Sequence, residues 1–232
     1  MNDADLADDR AARMIASWQS NAAAWTDAVR ERRIASRRAG TDAAIVAAVL
    51  REPSAKIIDV GCGEGWLARE LSRQGRDVVG IDASAALIEA ARALGGARFE
   101  TIDYDAIAGR AFELGAPFDV AVCNFSLFDA DIAPVLRAIR GLLQPHGRLV
   151  IQTVHPWTAN GDQRYADGWR EETFADFAGA FVASMPWYFR TLASWTETVA
   201  AAGFAIACCE EPIDPASGKP LSLLLTATPA AT

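Results

Sequence analysis

Residues 56–82 read KIIDVGCGEGWLARELSRQGRDVVGID, and this stretch decides the fold class. An apolar run, KIIDV, leads into three glycines spaced G-x-G-x-G: Gly61, Gly63 and Gly65. A helical stretch over 66–74 follows and is closed by Gly75; a second apolar run, DVVGID, then ends in Asp82. Short apolar runs without polar alternation suit strands buried on both faces, and strand–helix–strand is the repeating unit of a parallel sheet.

Outward from this stretch the alternation continues. Residues 84–94 read as a helix stopped by Gly95 and Gly96, and RFETID, FDVAVCNF and GRLVIQTV are three further strands, with a helix over 132–143 before the last. A helix over 192–202 stops at Gly203. FAIACCEEP and LSLLLTAT then follow with only a short Pro/Asp/Gly-rich link, which suits an antiparallel hairpin and not a helical crossover. The expected fold is α/β: a doubly wound, mostly parallel seven-stranded sheet with helices on both faces and an antiparallel C-terminal hairpin strand. A helical N-terminal extension precedes it, read as helices over 4–20, 21–38 and 41–51 with Gly40 and Pro53 as breaks. The expected organisation is a single domain over 1–232, with N-terminal helices over 1–52. Residues 155–190, rich in aromatics and lacking a clean period, are read as an insertion or cap over the sheet's C-terminal edge.

Composition narrows the partners. The formal net charge of −8 argues against a nucleic-acid partner, because phosphate binding is dominated by Lys and Arg. The acidic N-terminus MNDADLADDR lacks the basic and apolar regions of a signal peptide, and no apolar run approaches bilayer length, so no membrane partner is expected. Cys62, Cys123, Cys208 and Cys209 show no zinc-site spacing and no CxxC pair, which suits a reduced, cytoplasmic setting without a metal. A small molecule is the expected partner, with monomer and homodimer both open.

The glycine turn is the chemical signal. Glycines between a strand and a helix let backbone approach a ligand closely, at a helix N-terminus with free N–H groups. Dinucleotide enzymes use such a turn too, but with the spacing G-x-G-x-x-G. Here Asp59 precedes the first glycine by two positions, and Asp82 stands 23 positions after Asp59 at the end of the second strand. An acid in that place accepts hydrogen bonds from both hydroxyls of a ribose.

IIDVGCGEGWLARELSRQGRDVVGID resembles motifs I and II of class I S-adenosylmethionine-dependent methyltransferases. RFETIDYD resembles their third motif, FDVAVCNFSLF their fourth, and LLQPHGRLVIQ the turn and strand that follow; the likeness runs from about Thr41 to Pro212. GCGEGWLARxL, NAxxW and YxRTLxxW…AGFxIxxxxEP are similar to bacterial small-molecule methyltransferases. The His146–Gly147 turn departs from the pattern, which usually has two glycines there.

The resemblance implies a Rossmann-like fold, S-adenosyl-L-methionine as cofactor and methyl transfer to a small molecule by in-line displacement. It puts Gly61, Gly63 and Gly65 around the methionine half of the cofactor, with Asp59 holding the loop. Asp82 would bind the ribose hydroxyls, Ala83 and Tyr104 would flank the adenine, and Asp103 would accept from its amine. Asn124 would face the methyl end, and Arg37 would meet the cofactor carboxylate. Bland alternatives stand beside these: Asp103 as a cap for the following turn, Arg37 on a solvated helix face.

Such a displacement needs alignment and desolvation more than a fixed catalytic triad, and a base only where the acceptor must lose a proton. His155, directly after the fifth strand, and Tyr188 and Arg190, ahead of the last helix, are the candidates by position. His155 can act as a base or simply cap the loop beside Pro156; Arg190 can clamp a carboxylate or pair with Glu171 or Glu172. Trp18, Trp25, Trp66, Trp157 and Trp187 can wall a pocket for a flat or apolar acceptor, whereas Trp18 and Trp195 also suit the core. A cofactor-binding protein without catalysis and a nicotinamide-dependent oxidoreductase are the rival readings.

Overall fold

The computed structural model describes residues 3–177 and 180–231. In chain order the main elements are α1 (Asp3–Ser20), α2 (Ala22–Arg30), α3 (Asp42–Leu50), β1 (Lys56–Val60), α4 (Trp66–Arg73), β2 (Asp77–Asp82) and α5 (Ala85–Leu94). Then come β3 (Arg98–Thr101), α6 (Ala111–Leu114), β4 (Phe118–Asn124), α7 (Ala133–Leu142), β5 (Leu143–Val154) and α8 (Pro156–Asn160). The chain closes with β6 (Gly168–Glu172), β7 (Met185–Phe189), α9 (Leu192–Ala201), β8 (Phe204–Glu210) and β9 (Ser222–Pro229).

Seven strands form one sheet in the order β3-β2-β1-β4-β5-β9-β8. Pairings among β3, β2, β1, β4 and β5 are parallel; β9 is antiparallel to both β5 and β8. The expected C-terminal hairpin is present, and its second strand inserts between β5 and β8. Strand order reverses at β1, which lies between β2 and β4, so the crevice at its C-terminal end is the place where open α/β sheets bind ligands.

Side chains alternate across each strand and feed two cores. Ile58, Val60, Val79 and Ile81 meet Val135, Leu136 and Ile139 of α7 and Trp195 and Val199 of α9 on one face. Ile57, Val78, Val120, Val122 and Val150 meet Ile45 and Val49 of α3, Leu67 and Leu71 of α4 and Ile88 of α5 on the other. Each such aliphatic side chain contributes about 1.5–3 kcal/mol by leaving water.

Two departures from the sequence expectation have local causes. The second helix stops at Arg30, well short of 38, because Arg32 takes a left-handed φ of 56°. The chain resumes as a π-helical turn over Arg37–Thr41 that runs into α3. The described residues of 155–190 hold more regular structure than their sequence suggests, 178–179 lying outside them: α8 is followed by an antiparallel hairpin, β6 and β7, forming a second, two-stranded sheet. Its strands carry no clean alternation, because aromatic rings meet edge to face along the hairpin as well as across it, Trp187 with Phe189 and Trp169 with Tyr188.

Asn21 ties the N-terminal helices to this insertion. Its side-chain amide donates to the Ala183 carbonyl at 2.7 Å and to Ser17 Oγ at 3.1 Å, while its oxygen accepts from Val182 N at 2.8 Å. The residue is 1% exposed, so truncation would strand buried backbone groups. Asn21→Ala should therefore lower unfolding stability by about 1–3 kcal/mol in a urea titration. A change below about 0.5 kcal/mol would show that this junction is not stabilising.

Candidate functional site

The chain leaves β1 at Val60 and turns through Gly61–Gly65 into α4. Gly61 N and Cys62 N donate to the Ile81 carbonyl at 2.8 and 2.9 Å, which fastens the turn to the end of β2. Gly61 has φ 76°, and any side chain there would run into Cβ of Ser126. Gly65 caps α4 at φ 81°, with a Cβ position only 2.6 Å from the Phe99 ring, so its role is close packing of helix on sheet. Gly63, at φ 56°, has no neighbour within 4 Å of its Cβ position and forms the open part of the turn.

Asp82 braces this turn. Its Oδ2 accepts from Gly63 N at 2.9 Å and its Oδ1 from Ser84 N at 2.8 Å. An ionised carboxylate has about four lone-pair sites, so each oxygen can still accept one further donor. Burial pushes the Asp82 carboxyl above its ordinary value, partly offset by those two backbone donors. Ala83, next along, is exposed.

Asp59, at 1% exposure, is the deepest acid, and its Oδ2 has no hydrogen-bond partner. Desolvation first, and the neighbouring Asp82 charge second, push its carboxyl up to about 7; one backbone N–H, from Ala68, works against them. Cys62, Cys123 and Tyr104, the other titratable groups around it, are themselves pushed up by burial and stay neutral.

Tyr104 donates to the Ser126 carbonyl at 2.9 Å, and Ser126 Oγ donates to the Val60 carbonyl at 2.8 Å. Both therefore sit directly on the glycine turn. Asn124, at the end of β4, accepts from Gln152 Nε2 at 2.9 Å, and the same nitrogen donates to the Thr41 carbonyl at 3.1 Å. Gly61, Gly63, Asp59, Asp82 and Tyr104 are thus brought into one cluster. Asp103 is exposed and caps the following turn, accepting from Ala106 N at 2.9 Å. Arg37 is ion-paired to Asp42 at 2.7 Å and lies over the Trp66 ring at 4.2 Å, just past the glycine turn.

The acceptor-side candidates do not converge on this cluster. His155 caps α8 through Nδ1, accepting from Trp157 N at 3.3 Å, and its Nε2 meets Glu211 Oε1 at 2.7 Å. Tyr188 N donates to the Phe128 carbonyl at 2.8 Å and its ring packs on Trp169. Arg190 pairs with neither Glu171, which takes Arg13, nor Glu172, which accepts from Phe174 N. Its Nη2 donates instead to the carbonyls of Asp129 and Ala130. Trp195 is a core residue, but Trp18 is half-exposed and stacked on Trp25, and Trp157 stands largely in solvent.

Three residues with no sequence signal also shape the site. Phe125 adopts φ 52°, rare for an aromatic, and this sharp exit from β4 brings Ser126 back over the turn. Gln152 joins β4, β5 and the chain entering α3. Glu64, between two glycines, is buried and paired with Arg69 and with Arg30 of α2. Among the described residues, no group of three or more His, Cys, Asp or Glu could hold a metal ion. No helix among them is long and apolar enough to cross a membrane.

Comparison with known proteins agrees with this geometry. A family model described as a methyltransferase domain matches residues 30–208. A ubiquinone biosynthesis O-methyltransferase of Xylella fastidiosa (strain 9a5c) is 39% identical over 104 residues, 44% of this chain and 42% of that protein. The chain thus spans under half the length of the curated relatives it matches. An S-adenosylmethionine-dependent methyltransferase structure from Mesorhizobium loti is 27% identical with a TM-score of 0.59, covering 82% of this chain and all of that one. The Burkholderia thailandensis 1,6-didemethyltoxoflavin-N1-methyltransferase, 21% identical with a TM-score of 0.64, covers 94% of this chain and 89% of that one and shares the fold. The chain belongs to this methyltransferase family, in its S-adenosylmethionine-dependent, class I form.

The buried acid makes stability depend on pH. In the unfolded chain an Asp ionises near pH 4, whereas folded Asp59 holds its proton up to about 7. Over that interval the folded state binds more protons, so stability at this site is full below about pH 4 and declines until about pH 7. Asp59→Asn, which keeps the shape without ionising, should lose less stability than the parent between pH 5 and pH 8 in urea unfolding. Equal losses would mean that Asp59 is ionised throughout.

Proposed function

We propose that this protein transfers the methyl group of S-adenosylmethionine to a small-molecule acceptor bound at the C-terminal edge of its sheet. The observation that carries the reading is Asp82: a carboxylate pinned by Gly63 N and Ser84 N, beside an open glycine and an orphaned buried carboxylate oxygen on Asp59. That set fits a ligand with a ribose and a cationic amino acid end. The bound cofactor supplies an electrophilic methyl on a sulfonium.

In this reading Asp82 takes the ribose hydroxyls with its free lone pairs. Gly61 and Gly63 leave space for the methionine half, and Gly65 holds α4 close behind them. Asp59 offers a counter-charge to the amino group. Ala83 and Tyr104 border the adenine, Asp103 accepts from its amine, and Asn124 faces the methyl end. Arg37, over Trp66, swings from Asp42 to the cofactor carboxylate. His155, Tyr188 and Arg190 belong to the acceptor side, where the chain's task is to orient the nucleophile and exclude water.

The same reading takes the chain as one domain, with 1–52 as N-terminal helices and 155–190 as a cap over the active site. A cytoplasmic setting goes with it, supported by the free Cys62, Cys123, Cys208 and Cys209.

Calorimetric titration tests the cofactor directly. S-adenosylmethionine and S-adenosylhomocysteine should bind in the micromolar range and NADH should not; Asp82→Ala should weaken both by a factor of about 100, as loss of hydrogen bonds to a charged group implies. Binding of NADH, or of neither adenosyl ligand, would overturn the proposal. Tight cofactor binding with no turnover on any acceptor would favour a non-catalytic binding protein.

A further inference from the structure

Three separate segments bring aromatic rings together beside the loop that leaves β4. Trp18 of α1 lies 5.2 Å from Trp25 of α2 at 28°, and 6.4 Å from Phe128 of the post-β4 loop at 26°. Trp187 of β7 stands edge-on to Phe128, 6.3 Å away at 82°. All four rings are half-exposed, unlike Trp195 and Phe189, which show what a core aromatic looks like in this molecule. The rings touch one another and leave no slot between them; their exposed parts present an aromatic surface on which a flat ring can stack.

The polar end of this surface is Arg190. The residue is 3% exposed and borders a small cavity together with Phe128, Trp187 and Tyr188. Nη2 is occupied by the Asp129 and Ala130 carbonyls, but Nη1 is buried without a partner. A buried guanidinium N–H left unpaired is unfavourable, and it can only donate, so what completes it is an acceptor atom. Asp129, Asp131 and Asp167 offset the charge from a distance without taking that hydrogen. Phe128 lies two residues beyond Ser126, which rests on the glycine turn, so this surface and the turn share one loop.

We propose that the methyl acceptor is a planar aromatic or heteroaromatic molecule, held against Trp18, Phe128 and Trp187, with an oxygen that accepts from Nη1 of Arg190. This rests on the methyl-transfer reading for its chemistry, but the binding claim is tested apart from it. Trp18 and Phe128 set shape preference, and Arg190 sets the preference for an oxygen at the buried edge.

The test uses the full chain, with and without saturating S-adenosylhomocysteine. Tryptophan fluorescence quenching and ligand-observed NMR are read for 4-quinolone, quinoline, 4-hydroxybenzoate and cyclohexanecarboxylate. 4-Hydroxybenzoate should bind about tenfold more tightly than cyclohexanecarboxylate, and 4-quinolone more tightly than quinoline. Trp18→Leu and Phe128→Leu should each erase most of the planar preference while leaving S-adenosylhomocysteine affinity within about twofold, which also shows that the variants are folded. Arg190→Lys should remove the preference for 4-quinolone over quinoline without abolishing binding of either. Equal affinity for flat and puckered rings, binding of no probe, or planar binding unchanged in the Trp18 and Phe128 variants would overturn the proposal. Loss of S-adenosylhomocysteine binding in the parent alone, with planar probes still bound, would instead sink the methyl-transfer reading.

Discussion

The Asp82 carboxylate, shared between Gly63 N and Ser84 N, is the contact around which the site is arranged. It joins the turn after β1 to the start of α5, and the Ile81 carbonyl adds two more bonds from Gly61 N and Cys62 N. A five-residue turn rich in glycine has high conformational entropy when unfolded, and these fixed acceptors select one of its many shapes. With that shape set, α4 can start at Gly65 and pack on Phe99, and the loop after β4 can close over Gly61.

This bracing concentrates negative charge where little solvent reaches. The Asp82 charge raises the cost of ionising Asp59, burial raises the cost for both, and among the described residues no cation is paired with either. Glu64, a few residues away, is treated in the opposite manner: it is buried against Arg69 and reached by Arg30. Breaking such a buried pair leaves an uncompensated charge, so the Glu64 contacts are structural. Asp59 and Asp82 are left without such a counter-charge, and perturbed acids of that kind mark candidate functional sites.

The N-terminal helices and the 155–190 insertion depend on each other as much as on the sheet. Asn21 joins them by donating to the Ala183 carbonyl and accepting from Val182 N, Arg13 reaches Glu171, and Trp25 packs against Phe174 and Phe181. A two-stranded hairpin is marginally stable by itself in water, so β6 and β7 need such support. Their aromatics therefore form a shared layer at the C-terminal edge of the sheet, on the side where the post-β4 loop projects Phe128.

The seven-stranded sheet, its antiparallel ending and the glycine turn with its two acids could be read from the order of residues alone. These are local in origin: apolar runs of strand length, helix periodicity and the backbone freedom of glycine are all written within a few neighbouring residues. Asp59, Gly61, Gly63 and Asp82 stand out in sequence for that reason and Tyr104 only through the resemblance, and the structure brings the five into one cluster. The partners of groups far apart in the chain follow from three-dimensional packing instead. Asp103 and His155 are engaged as caps and Arg37 with Asp42, while Arg190 keeps one donor unpaired. Ser126, Gln152 and Glu64 enter the site through contacts spanning many residues, and Phe125 through a backbone conformation that its type disfavours. The β6–β7 hairpin was hidden because its rings meet one another, Phe128 and Arg10 of α1 and not the main core, a pattern that single-chain periodicity cannot carry.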